Sequence, residues 1–166
     1  MNSNVNSSKI YPVYILKRVA VEIYRQCQRA IPNETLGRLL GYRCEWEGKN
    51  YIKIVDWVSG DLESGVTFAY FTSKGIQECE TFLDERYGQI PNRPVEIGLF
   101  HSHPFRAEPH FSSVDHETFL TFPYDAEGNA FILIDPHIYF FKVFVVSSHP
   151  KKQKFLQQVP WIAYSS

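Results

Sequence analysis

Two spacings of apolar residues alternate along the chain. Residues 1–9 are polar, rich in Asn and Ser, and are expected to be a disordered lead-in. Leu16, Val19, Ala20, Ile23, Cys27 and Ala30 then recur at helical spacing and predict a first amphipathic helix, which Pro32 and Asn33 end. Thr35 to Trp46 and Asn50 to Ser59 carry β-branched and aromatic residues around Glu47-Gly48, the pattern of two antiparallel strands joined by a tight turn. Val66 to Phe71 reads as a short strand. Thr72 or Ser73 can cap a second helix with apolar positions Ile76, Cys79, Phe82, Leu83 and Tyr87, stopped by Gly88 and Pro91.

The apolar run Val95 to Phe100 ends at His101, after which Pro104 and Pro109 force a loop before a third helix starts near Ser112. Ala130 to Ile134 and Ile138 to Val146 predict two more strands joined at Asp135-Pro136, and the tail around Val159, Trp161 and Tyr164 is expected to pack back onto the body. Strands and three helices in one chain, with no repeat or low-complexity linker, indicate an α/β domain with a mixed β-sheet flanked by helices.

Composition narrows the partners without identifying one. The 166 residues suffice for one domain with its own core. A formal net charge of -1 gives no general electrostatic footprint for nucleic acid or for an anionic membrane, so neither is expected as a partner. Cys27, Cys44 and Cys79 are an odd number without a C-x-x-C pair, which favours buried reduced thiols. With no apolar signal-like run at the start and no segment of membrane-spanning length, a cytoplasmic location is expected.

The chemistry concentrates after Phe100. Side chains at i and i+2 on a strand point the same way, so His101 and His103 can offer two imidazoles to one metal ion. Ser112-Ser113-Val114-Asp115 would then bring a carboxylate from a first helical turn as the third ligand. Three protein ligands and an open position describe a catalytic rather than a structural zinc, one that lowers the pKa of water toward about 7. Each piece also has a plainer reading. A lone His-x-His is more often two partly exposed polar residues, and Ser112 with Asp115 is equally a capping box at a helix start.

Taken together, Glu34 in Glu34-Thr-Leu-Gly-Arg-Leu-Leu-Gly41, His101-Ser-His103-Pro104 and Ser112-Ser-Val-Asp115 resemble the signature of the JAMM metalloproteases. This MPN+ or JAB-domain family, of Mov34/PAD-1 type, carries a glutamate, then H-x-H, then S-x-x-D. Phe131 to Pro136 and Lys142 to Val146 look like the paired strands that follow the motif there. The resemblance implies one MPN/JAB-like, cytidine-deaminase-like domain over 10–166. Long insertions and C-terminal helices are missing, which suits a stand-alone prokaryotic type. One departure concerns the loop Pro104 to Phe111, which is a residue longer than is usual in the family.

Carried over residue by residue, the resemblance implies that His101, His103 and Asp115 bind one Zn2+ with a water molecule, that Glu34 is the general base, and that Ser112 helps to hold the oxyanion. Glu22 lies in the first helix, Glu96 has the opposite strand parity to the histidines and Glu108 sits in the loop, so Glu34 alone fills the motif position. A shifted register through Ser113 and His116 would give a three-histidine site instead.

The expected activity is that of an isopeptidase or peptidase acting after the C-terminal glycine of a ubiquitin-like or sulfur-carrier-like protein. Some bacterial relatives accompany ubiquitin-transfer-like enzymes in antiviral systems. The rival is a non-catalytic scaffold of the same fold, against which the retained motif residues argue. An amidohydrolase barrel needs roughly 250 residues, and a zinc deaminase needs a P-C-x-x-C segment that the chain lacks.

Overall fold

A computed structural model describes residues 11–106, 113–148 and 153–166. The expected lead-in at residues 1–9 and the site residue Ser112 lie outside the described residues, as does Glu108. The chain starts with strand β1 (Val13–Leu16), which runs directly into helix α1 (Lys17–Ala30). Next come β2 (Leu36–Trp46), β3 (Lys49–Val58), β4 (Leu62–Gly65), β5 (Phe68–Phe71) and helix α2 (Ser73–Tyr87). β6 (Val95–Ser102) and the short helix α3 (Ser113–Phe119) follow, then β7 (Ala130–Asp135), β8 (Phe140–Ser148), β9 (Lys154–Gln158) and β10 (Trp161–Tyr164).

Eight strands form one mixed sheet in the order β10-β1-β3-β2-β6-β7-β8-β9, while β4 and β5 form a separate hairpin. The sheet lies between two helical layers. α1 lays Val19, Ile23 and Cys27 on one face, over Ile15, Leu39, Ile52, Ile97, Phe100 and Ile132. On the other face α2 covers Leu40 and Val58 with Cys79 and Leu83, and α3 covers Leu99, Phe131 and Val146 with Phe119. Among the described residues, no helix is long and apolar enough to cross a membrane.

The turn chemistry explains much of this layout. Glu47 (φ 50) and Gly48 (φ 76) both take positive φ, the pairing that matches a two-residue hairpin to strand twist, and β2 and β3 pair from Trp46↔Lys49 onward. The Thr72 side chain accepts a hydrogen bond from the Gly75 N–H (3.1 Å) and starts α2, and Gly88 (φ 51) ends it.

Several expectations need correction. Leu16 stands outside α1 and ends β1, a strand that the helical periodicity absorbed. Val66 and Thr67 are the turn of the β4–β5 hairpin rather than strand residues. β8 starts at Phe140 because Ile138 and Tyr139 belong to a turn in which Tyr139 takes φ 54. Ile76 is exposed instead of facing the core under α2. The tail does pack back, as two strands: β9 pairs with β8, and β10 pairs with β1 in parallel through Val13↔Trp161.

The strand-parity argument against Glu96 also fails. The β2–β6 register shifts between Leu39↔Gly98 and Leu40↔Glu96, leaving Ile97 as an extra residue in a β-bulge. Ile97 therefore joins Phe100 in the core under α1, and Glu96 turns to the same face as Leu99 and His101. Its carboxylate is held there by Arg38 (3.2 Å), which also pairs with Glu80 of α2 (2.6 Å). A committed ion pair, not parity, is what removes Glu96 from the list of bases.

Candidate metal centre

β6 carries both histidines to the carboxyl end of the sheet. β6 itself stops at Ser102, but the His103 N–H donates to the Ile134 carbonyl (2.8 Å), so the alternation continues one residue further along β7. The two imidazoles then lie on one face with ring centroids 4.8 Å apart, both buried. The Phe105 N–H donates to the His103 carbonyl (2.9 Å), turning the chain away immediately after the pair, with the Phe105 ring beside that of His103.

Two carboxylates from different elements meet these rings. Asp115, in the first turn of α3, lies 3.1 Å from His103 Nε2 and 3.7 Å from His101 Nε2. Glu34, on the short connection between α1 and β2, lies 3.1 Å from His101 Nε2 and 3.7 Å from His103 Nε2. Glu34 is 3% exposed, and its backbone N–H donates to the Gly65 carbonyl (2.8 Å) at the tip of β4. His116 is exposed one position beyond Asp115, so the carboxylate and not that histidine reaches the pair.

The donor set fits a metal ion. Ligands each about 2.0–2.1 Å from a tetrahedral zinc stand about 3.3 Å apart, and the four separations fall between 3.1 and 3.7 Å. His101 Nε2 is buried with no hydrogen-bond partner among the described residues, a costly state for a ring nitrogen unless something else occupies its lone pair. Glu34, His101 and His103 thus form a group that can hold a metal ion, with Asp115 within reach of both rings. Both carboxylates are in contact range of the imidazoles, so the spacing alone does not divide them into ligand and base.

The group opens into a cleft of about 690 Å³. Its floor is Leu36 and Leu99, one wall is the β4–β5 hairpin with Phe68 and Phe71, and the other is α3 with Thr118 and Phe119. The lining is mostly apolar away from the metal group. Behind it, burial pushes the Cys27 thiol up to about 12 despite a hydrogen bond with Ser102, so Cys27 is a neutral core residue rather than a ligand.

Sequence reading missed two residues of the site. The Thr35 N–H donates to Ser102 Oγ (2.8 Å) and the Ser102 N–H donates to the Thr35 carbonyl (2.9 Å), tying the residue after Glu34 to the residue between the histidines. Both are buried; strand alternation turns the serine of H-S-H away from the histidines, but nothing in the sequence signals that it pairs with Thr35.

Among curated proteins no sequence matches the chain. A family model described as prokaryotic homologs of the JAB domain matches residues 16–134, from the end of β1 into β7, and so spans Glu34, both histidines and Asp115. With more than half of its length matched across these elements, the chain belongs to the prokaryotic homologues of the JAB domain.

Proposed function

We propose that the protein is a zinc-dependent peptidase or isopeptidase that cleaves after the C-terminal glycine of a ubiquitin-like or sulfur-carrier-like protein. The observation that carries this reading is the convergence of two imidazoles and two carboxylates within 3.1–3.7 Å in a cleft, around a buried nitrogen without a hydrogen-bond partner among the described residues. JAB domains include metalloproteases and also members without activity, and a complete donor set favours the former.

His101, His103 and Asp115 hold the ion. Bound there, zinc supplies Lewis acidity and brings the pKa of water toward about 7. Glu34 takes the proton of the attacking water and later hands it to the leaving amine. Its burial and its backbone tie to Gly65 keep the carboxylate aimed at the reacting atoms. Ser112, beyond the described residues, keeps the role of donor to the developing oxyanion.

The substrate class is supported by the wall of the cleft. β5 pairs with β4 along one edge, and its residues line the cleft, so an extended tail can add as a further strand beside the metal group.

Purified protein is expected to contain about one zinc per chain. Glu34→Gln should keep the metal and lose hydrolysis of ubiquitin-like fusions bearing a Gly-Gly junction. Folded wild-type protein that takes up no zinc overturns the reading. Zinc-loaded protein that leaves all such fusions intact assigns it to the scaffold class instead. An adjacent gene for a ubiquitin-like protein or its activating enzyme would point to the substrate, including within an antiviral system.

A further inference from the structure

At the end of the sheet remote from the metal group, no helix among the described residues covers one face. β2 starts at Leu36 beside the histidines and ends at Trp46, and its 11 residues at about 3.3 Å each separate the two places by roughly 33 Å. Here Val13, Ile15, Ile52 and Ile54 point into the core under α1, so the alternate positions Tyr14, Tyr51 and Lys53 point to the other side. With Trp46, Lys49 and Tyr164 they line an open groove of about 500 Å³ across β2, β3, β1 and β10.

The composition of this groove is specific. Its four aromatic side chains remain accessible, Trp46 most of all at 68% exposed. Tyr14 and Tyr51 meet edge to face at 5.6 Å, and Lys53 Nζ sits 5.4 Å from the Tyr164 ring centroid. Lys49 and Lys53 have no ion-pair partner among the described residues, and no carboxylate lines the groove. Rings and uncompensated cations alternate along the surface, an arrangement suited to a ligand that itself alternates flat π-faces with negative charge.

We propose that this face binds single-stranded nucleic acid, with bases stacked on Trp46, Tyr51 and Tyr14 and phosphates at Lys49 and Lys53. A second copy fits less well, because a contact of groove with groove would bring four lysines into one interface to which neither groove contributes a carboxylate. The rings alone would also suit a protein partner, but the two lysines oppose it, since lysine is depleted where protein surfaces are buried against each other. The net charge of -1 means that the rest of the chain adds no general attraction, so binding should be local and modest. Two phosphates neutralised on a single strand give a slope of log K against log salt of about -1.4, from about -0.7 each.

The test uses the full chain and fluorescent oligothymidylate at about 50 mM salt, followed by anisotropy and by tryptophan quenching. A dissociation constant of about 1–100 μM is expected, with the shallow slope above and clearly weaker binding of the corresponding duplex. Trp46→Ala and Tyr51→Ala should each weaken binding roughly fivefold or more, with unchanged circular dichroism. Trp46→Phe should keep binding while losing the quench.

No binding at about 1 mM protein overturns the proposal. So does equal affinity for duplex, or binding that inorganic polyphosphate matches and that Trp46→Ala leaves unchanged. A dimer in solution that Trp46→Ala dissolves would give the face to a second copy, and binding only to an acidic protein would give it to that partner; either result overturns the nucleic-acid assignment.

Discussion

Thr35 and Ser102 exchange hydrogen bonds across the β2–β6 junction, N–H to Oγ at 2.8 Å and N–H to carbonyl at 2.9 Å. Each is the chain neighbour of site residues, Thr35 of Glu34 and Ser102 of both histidines. The exchange therefore fixes the base against the imidazoles through backbone that never touches the cleft. Ser102→Ala removes the acceptor for a buried N–H and should cost about 1–3 kcal/mol of stability. It should also loosen the metal group, lowering zinc affinity roughly tenfold or more. Denaturant midpoints and competitive zinc titration read the two effects separately; unchanged zinc affinity would leave Ser102 a purely structural residue.

Zinc should stabilise the fold measurably. The three ligands converge only in the native state, and a ligand at a hundred times its dissociation constant adds about 2.7 kcal/mol. Thermal melts of chelated and zinc-loaded protein should differ accordingly. Asp115→Asn should abolish most of the shift and Glu34→Gln should retain it, which assigns ligand and base where their similar distances do not. The reverse pattern would exchange the two roles.

Gly98 is fixed by the bulge that aims β6. It takes φ 148, and a Cβ there would stand 1.6 Å from the Ala130 carbonyl oxygen on β7. Neither the strand pairing nor the backbone can yield cheaply, so Gly98→Ala should destabilise by at least about 3 kcal/mol. Ile97 and Phe100 would lose their shared side of the core, and the histidines their register. Wild-type denaturant stability in the variant would contradict this account.

The histidine pair was legible because a strand has a period of two and the run before it is apolar, and the β2–β3 hairpin because Glu47-Gly48 carries its own turn chemistry. β1 was not, since Ile15 and Leu16 continue without a break into the periodicity of α1. Its partner β10 lies at the far end of the chain, a parallel pairing that no local pattern announces. The bulge at Ile97 was signalled only weakly, by Gly98 inside the strand. A glycine in an apolar run does not say whether the alternation skips, and that skip is what brought Glu96 round to the face of His101.

Glu96 gives the pH-dependent prediction. Burial raises its carboxyl above the usual range, Arg38 opposes this, and Glu80 adds to the rise. A raised pKa in the folded state means that the native protein holds this proton more tightly than the unfolded chain. Stability from this group is then full below the ordinary glutamate pKa and is lost as pH rises through the raised value. At neutral pH the ionised Glu96 should then be a small net cost even with Arg38 at 3.2 Å, small because the side chain is 35% exposed and solvent screens it. Glu96→Gln keeps the shape and removes the charge, while Arg38 retains Glu80 at 2.6 Å. The variant should melt higher than the wild type at neutral pH, with the gain shrinking through the acidic range and vanishing below the ordinary glutamate pKa. A lower melting temperature at neutral pH would show instead that the Arg38 pair outweighs the burial of the carboxylate.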